Sequence, residues 1–288
     1  MNEVNQATSH HWKPAGIGLI VVGDEILSGK RQDKHMPKVI ELLQTRGMSL
    51  DWSRCIGDDP ARLVAALADA FASADLVFCC GGIGATPDDH TRQSAAAALG
   101  VDLVLHPEAK ALIEQRMRDM AAEKGEVYDP NRPDNVHRFN MGVFPAGAAI
   151  IANPYNRIPG FTAQSPSGAT IHFVPGFPVM AWPMIESVLD NQYGYLHTTG
   201  QWSERSVIVL GAIEAQLTPL MQRMEQGFGV RVFSLPSVDH PEFGRHIELG
   251  VKGSPALVDQ AFAAMRDALK EDGVPLGPEL VRGEAAPK

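Results

Sequence analysis

The stretch Gly81-Gly82-Ile83-Gly84-Ala85-Thr86-Pro87-Asp88-Asp89-His90-Thr91 is the part of this sequence best equipped for chemistry. Gly81, Gly82 and Gly84 permit positive φ and close approach of another group, so successive N–H groups there can form a concave anion site. A helix starting near His90 adds partial positive charge at its N-terminus. A tight connection whose glycines only turn the chain is the competing reading. Asp88 and Asp89 weigh in the choice, because they repel a phosphate beside them unless a hard divalent cation bridges carboxylate and phosphate oxygens. Neighbouring side chains at a helix start diverge by about 100°. The expectation is therefore Asp89 as the catalytic and metal-binding carboxylate, with Asp88 as its support or as the helix N-cap.

A second acidic group, Gly23-Asp24-Glu25, ends an apolar run and continues through Ser28 and Gly29. If that run is a strand beside the one preceding Gly81, Asp24 and Glu25 share a sheet edge with the glycine loop. There they could complete a metal site or hold a ribose hydroxyl, with Ser28 adding a hydroxyl. A solvated loop with Asp24 capping a turn is the alternative. Pro175-Gly176-Phe177-Pro178 offers a rigid wall to a flat ring, and equally suits a helix start. His35 and His90 are the histidines nearest these loops, and no histidine pair has metal-ligand spacing. Cys79 and Cys80 read as packing residues on opposite faces of a strand.

The chain has 288 residues, with 25 Lys plus Arg against 34 Asp plus Glu, a formal charge of -9. That balance, with no basic run, argues against nucleic acid and anionic membranes as partners. Three cysteines form no disulfide framework. No segment approaches the roughly 20 apolar residues of a membrane span, and the N-terminal stretch lacks a signal-peptide core. A soluble cytoplasmic protein is expected.

Apolar runs at Ile17–Val22, Ser49–Ile56, Leu76–Cys80 and Val101–Leu105 alternate with helical patterns, including Leu63, Ala66, Leu67, Ala70 and Phe71 after Asp59-Pro60. Alternation of this kind implies parallel strands with right-handed crossovers, an α/β layered fold. Pro107–Lys124 reads as a helix, and Glu126–Met141 as a structureless loop, either a lid or binding loop or surface disorder. Strands follow at Ala148–Ala152 and Thr170–Val174, then a helix at Pro178–Leu189 and a linker at Gly194–Trp202. The expected organisation is a flexible segment 1–15, a main domain 16–192, a small α+β module 203–272 and a frayed tail 273–288. The module has a KH-like order of elements but no GxxG loop after its first helix, which speaks against RNA binding.

These segments together resemble the molybdopterin-binding (MoaB/Mog) domain, in the form found at the N-terminus of the competence/damage-inducible protein A (CinA) group. The residues that carry the likeness are Gly23-Asp24-Glu25-Ile26-Leu27 with Gly29, Gly57-Asp58-Asp59, the glycine loop through Thr91, Pro159-Gly160-Phe161 and Pro175-Gly176-Phe177-Pro178. The resemblance implies a three-layer α/β/α domain with a mostly parallel sheet, commonly in a homo-oligomer. It implies a small nucleotide or pterin ligand, molybdopterin among the candidates, and a divalent metal (Mg, Mn or Co). For the CinA type it implies metal-dependent hydrolysis of a nucleotide pyrophosphate of the ADP-ribose or FAD class, with Asp89 and Asp24 as the catalytic carboxylates that hold the cation. A non-catalytic pterin or nucleotide carrier, or a molybdopterin adenylyltransferase, is the alternative. Asp24, Gly81, Gly82, Gly84, Thr86, Asp89 and Thr91 carry over as ligand or metal contacts, with Glu25 and Asp88 as further metal candidates and Gly23, Ser28 and Gly176 as phosphate contacts. Ala85 replaces the group's usual proline, Asp33-Lys34-His35 its Asp-Thr-Asn, and Asn156-Arg157 its small residues. His35, His90 and Arg157 are accordingly the candidate specificity residues. The likeness includes no deamidase domain, so that activity is not expected.

Overall fold

Ile17–Val22 is an unbroken apolar run and forms strand β1, buried along its whole length, as a strand covered on both faces must be. The structure, a computed structural model, describes residues 12–198, 200 and 202–282. They divide into one unit built from residues up to 43 and 49–196, and a second from residues 44–48 and 197 onward.

In the first unit β1 is followed by α1 (Asp24–Leu27), α2 (His35–Gln44), β2 (Trp52–Ile56), α3 (Pro60–Ala72), β3 (Leu76–Cys80) and α4 (Thr91–Leu99). Then come β4 (Leu103–Leu105), α5 (Pro107–Glu123), α6 (Pro133–Arg138), β5 (Val143–Pro145), β6 (Ala149–Ile151), β7 (Gly160–Gln164), β8 (Thr170–Val174) and α7 (Pro178–Gln192). The main sheet has the order β2-β1-β3-β8-β7-β6. Its first four strands are parallel, and β7 and β6 close it in antiparallel fashion. Asp59 starts α3 by accepting the Arg62 N–H at 2.8 Å, with Pro60 in the first turn.

Alternate residues of a strand point to opposite faces. Ile20, Val77, Cys79, Ile171 and Phe173 pack with Leu63 and Leu67 of α3 and Ala95 of α4 in one core. Phe161 stacks on Phe173 and Phe144 at centroid distances of 4.4 and 4.7 Å, each pair adding about 0.5–1.5 kcal/mol beyond burial. On the other face Phe78 stacks on His172 at 5.4 Å, and His172 reaches Tyr193 beyond the end of α7. The result is the layered α/β fold, with its sheet mostly parallel.

Fully buried His172 lies 2.7 Å from the Thr162 hydroxyl and 2.8 Å from the Tyr193 hydroxyl, and burial pushes its pKa down to about 3. The unfolded chain takes up a proton near pH 6.5 and the folded one does not, so stability falls as pH drops from about 6.5 toward 3. Unfolding free energy measured in urea across that window is expected to change by roughly 4 kcal/mol. A His172→Gln variant loses that part of the slope. An unchanged slope in the variant would remove His172 as its cause.

Three expectations change here. The strand expected at Val101–Leu105 is only Leu103–Leu105, is exposed, and pairs with β5 in a separate two-stranded sheet. Residues 126–141 are not structureless. Pro133 opens α6, Asp134 sits in its first turn and His137 and Arg138 in its last, and a 3-10 turn at Phe139–Gly142 follows. Strand β7 falls where only a Pro-Gly-Phe motif stood out.

The second unit contains β9 (Ser203–Leu210), α8 (Glu214–Phe228), β10 (Arg231–His240), β11 (Gly244–Gly253), α9 (Pro255–Glu271) and β12 (Leu276–Arg282). Its strands run antiparallel in the order β10-β11-β9-β12, a split βαβ arrangement. Val207, Val209, Leu249 and Val251 meet Leu220 of α8 and Phe262 and Met265 of α9 in its core. The frayed tail expected from residue 273 is instead strand β12 through Arg282, which pairs with β9. Arg282 bridges Glu204 at 2.7 Å and also binds Glu248.

The expected flexible segment 1–15 lies outside the described residues up to 11. Past that point Trp12 is 6.4 Å from Tyr193, its carbonyl accepts the Tyr195 hydroxyl at 2.7 Å, and the Ala15 N–H reaches Ala74. Within the expected linker, Thr199 and Gln201 also lie outside the described residues. Among the described residues no helix is long and apolar enough to cross a membrane.

Candidate functional site

Four parallel strands end at one edge of the main sheet, and each end carries a turn singled out by its residues. β1 runs into Gly23, β2 into Gly57-Asp58, β3 into Gly81-Gly82 and β8 into Pro175-Gly176. The chain leaves β1 toward β2 on one side and returns to β3 on the other, so β1/β3 is a topological switch point, where ligands bind in open α/β sheets. A cleft of about 730 Å³ opens there, within the range of small-molecule sites.

The loop is tightly built. Gly81 has φ +110° and Gly82 +68°, and a Cβ on either would collide, with the Val22 carbonyl oxygen or the Thr91 hydroxyl. The Gly81 N–H bonds to Val174 of β8 at 3.0 Å. Its carbonyls are drawn to one side. Thr91 donates its hydroxyl to Gly81 and its N–H to Gly82, each at 3.0 Å. Arg92 Nη2 donates to the Gly84 carbonyl at 2.6 Å, and His137 Nε2 to that of Ala85 at 2.9 Å. In a trans peptide the next N–H points opposite to the carbonyl. The N–H groups of Gly82, Ile83, Ala85 and Thr86 are therefore turned away from α4 and α6, and the residues concerned line the cleft. Thr86 uses its N–H, at 2.8 Å, and its hydroxyl on the Asp89 carboxylate.

This geometry redistributes the expected roles. Asp89 lines the cleft but closes the loop through Thr86, the supporting task expected of Asp88. Asp88 is exposed at the cleft and makes no helix cap. Asp24 does not line the cleft. Its Oδ1 accepts the Asp58 N–H at 3.2 Å while Asp58 Oδ2 accepts the Asp24 N–H at 3.0 Å, a reciprocal pair that fixes the turn after β2. Glu25 does line it, as do Gly23, Gly81, Gly82, Gly84, Thr86 and Gly176.

Thr91 is fully buried and holds the loop from beneath rather than facing a ligand. Ser28 lies exposed at the C-cap of α1, outside the cleft lining. His35 is buried, and its Nε2 donates to the Gly176 carbonyl at 3.0 Å, so it positions that loop and does not reach the cleft. His90 faces a different cavity, of about 470 Å³, on the α4 side of the loop. Arg157, with φ +65°, pairs with Asp119 of α5 at 3.5 Å and stays out of the cleft.

The reading of the residues missed Asp58, Lys30 and Arg31, all of which line the cleft. Asp58 follows β2 as Asp24 follows β1, a signal that was open to the same strand-end argument. Its pKa is raised by burial and by the carboxylates of Asp24, Glu25 and Asp88, against the lowering effect of the Asp24 N–H. Arg92 and His137 were missed as well. Burial lowers the Arg92 pKa, and Asp89 counteracts this.

An all-oxygen rim of Glu25, Asp58 and Asp88 suits a hard divalent cation, which would relieve the mutual repulsion that raises Asp58. Among the described residues no group of three His, Cys, Asp or Glu is placed to hold a metal by itself.

Comparison with known proteins decides the family. A family model described as "Probable molybdopterin binding domain" matches residues 18–193, the whole of the sheet and cleft just described. The chain belongs to the molybdopterin-binding domain family. Over 279 residues it is 29% identical to a CinA-like protein of Syntrophotalea carbinolica, covering 94% of this chain and 63% of that one. Over 166 residues it is 33% identical to a CinA-like protein of an Anaeromyxobacter species, covering 58% and 38%. The chain thus spans less than two thirds of the length of these relatives. The crystal structure of the protein CinA, of unknown function, from Thermoplasma acidophilum superposes with a TM-score of 0.52 at 24% identity, over 62% of this chain and 98% of that one. That likeness supports the fold of the family domain.

Proposed function

We propose that the cleft binds a nucleotide pyrophosphate of the ADP-ribose or FAD class and hydrolyses it with the help of a divalent cation. The observation that carries this reading is the pairing of inward-turned loop amides with a carboxylate rim at one switch point. Amides attract a phosphate, whereas Glu25, Asp58 and Asp88 repel it, and a divalent cation between them would satisfy both. A bound cation would supply an activated water at neutral pH and offset charge on the bridging oxygen. The chain's own part is to orient the substrate. The amides of Gly82, Ile83 and Ala85 hold one phosphate, Lys30 and Arg31 face the rest of the cleft, and the wall at Gly176 and Phe177 suits a planar base. Water adds to one phosphorus as the P–O–P bridge breaks, which gives AMP and the second phosphate monoester.

The test is incubation of the purified protein with ADP-ribose or FAD and Mg²⁺, Mn²⁺ or Co²⁺, with AMP followed by chromatography. AMP is expected only when a metal is added. No AMP with any of the three at high enzyme concentration overturns the hydrolytic reading. The second reading, a pterin or nucleotide carrier without turnover, is favoured by the engagement of Asp89 inside the loop. Saturable pterin binding without product would establish that reading, and product formation dependent on ATP would mark adenylyl transfer to molybdopterin.

A further inference from the structure

We infer that Arg92 and His137 act as a clamp that holds the glycine loop in its anion-accepting orientation, which makes α6 a working part of the site. This rests on the anion-binding reading of the cleft. The two side chains come from different elements, α4 and α6, and His137 spans 52 positions to bond Ala85. Both donate to loop carbonyls, at 2.6 and 2.9 Å, on the side away from the cleft amides. Gly84 has no side chain to pack, so the Gly84–Ala85 peptide has few restraints of its own, whereas the Ala85–Thr86 peptide is held by His137 and also by the Thr86 N–H on Asp89. Without the Arg92 donor behind it the Gly84–Ala85 peptide can rotate, which turns a carbonyl oxygen toward the bound anion in place of the Ala85 N–H, and His137 steadies the next peptide from the same side.

The clamp is itself held in place. Arg92 is 4% exposed, and its charge is balanced by nearby Asp89, the residue that ties down Thr86. Its Nε has no partner among the described residues, and Nη2 donates to the loop. The His137 Nδ1 is 3.3 Å from the Asn140 amide, which leaves Nε2 as the nitrogen that carries the proton toward Ala85. Both residues line the 470 Å³ cavity behind the loop together with Asn140, Leu103 and Val143. Neither lines the cleft. Each is therefore a positioning residue, expected to change ligand affinity without touching ligand.

The experiment uses the full chain and two readouts. In wild type, ¹H–¹⁵N residual dipolar couplings of Gly82, Ile83, Ala85 and Thr86 are expected to fit the N–H directions described above. In Arg92→Ala they are expected to depart from that fit, and ADP binding measured by calorimetry is expected to weaken about tenfold or more. Because the side chain borders an open cavity, added guanidinium at millimolar concentration is expected to restore both readouts, and ammonium to restore neither. His137 is exposed, so His137→Ala is expected to fold normally and to weaken ADP binding several-fold, with His137→Gln recovering most of it. Unchanged couplings and unchanged affinity in both alanine variants overturn the clamp. If wild type binds no ADP, the proposed function falls, while the couplings still decide the clamp.

Discussion

Gly81→Ala is expected to abolish ligand binding and to destabilise the first unit by roughly 2–6 kcal/mol. Two separate costs add. A φ of +110° disfavours any residue with a Cβ, at about 1–3 kcal/mol. The new methyl also meets the Val22 carbonyl oxygen of the neighbouring strand, and backbone cannot give way as a flexible side chain would. Overpacking of that kind costs about 1–3 kcal/mol more. Gly100 provides the control, since it has φ +67° at the end of α4 with open space around its Cβ position. Gly100→Ala is expected to cost only about 1 kcal/mol and to leave binding intact. Urea unfolding of both variants checks the contrast, and equal losses would show that Gly81 serves only as a turn.

Asp58→Asn is expected to move stability and activity in opposite directions. Asp58 shares its surroundings with Asp24, Glu25 and Asp88, and their repulsion, with burial, raises its pKa. The amide keeps an oxygen able to accept the Asp24 N–H, so the turn survives. Removal of one like charge relieves the rim, and the thermal midpoint is expected to hold or rise. The same change takes away a carboxylate that the proposed divalent cation would use. Metal-stimulated AMP release is expected to fall roughly 10²- to 10³-fold, the usual effect of losing one electrostatic partner of the reacting centre. Trade-offs of this sign are common where a site keeps strained charges for function. A variant that loses stability and keeps its metal response would show Asp58 to be a structural turn residue.

The chemistry of the strand ends was legible wherever one local rule sufficed. Continuous apolar runs gave β1 and β3, Asp59-Pro60 gave the start of α3, and the glycines after β3 gave a loop of the right backbone character. What escaped depended on neighbours distant in sequence. Asp24 and Asp58 look alike as loop acids, and only their reciprocal hydrogen bonds show which one turns away from the cleft. Asp88 and Asp89 are adjacent, and the choice between them is made by Thr86, which bonds Asp89. His137 lies in a segment with little hydrophobic periodicity, where a six-residue helix that begins at Pro133 leaves almost no pattern. Strand β12 was masked by its Gly-Pro content, although a proline is tolerated on an edge strand such as this one.

Whether backbone amides of the glycine loop receive an anion is read out by titrating ¹⁵N-labelled protein with ADP and following each amide by NMR. The Gly82, Ile83 and Ala85 signals are expected to move first and farthest, downfield in the proton dimension, with smaller shifts at Lys30 and Arg31. Saturable binding that shifts Lys30 and Arg31 while those three loop amides stay in place would contradict anion binding by the loop.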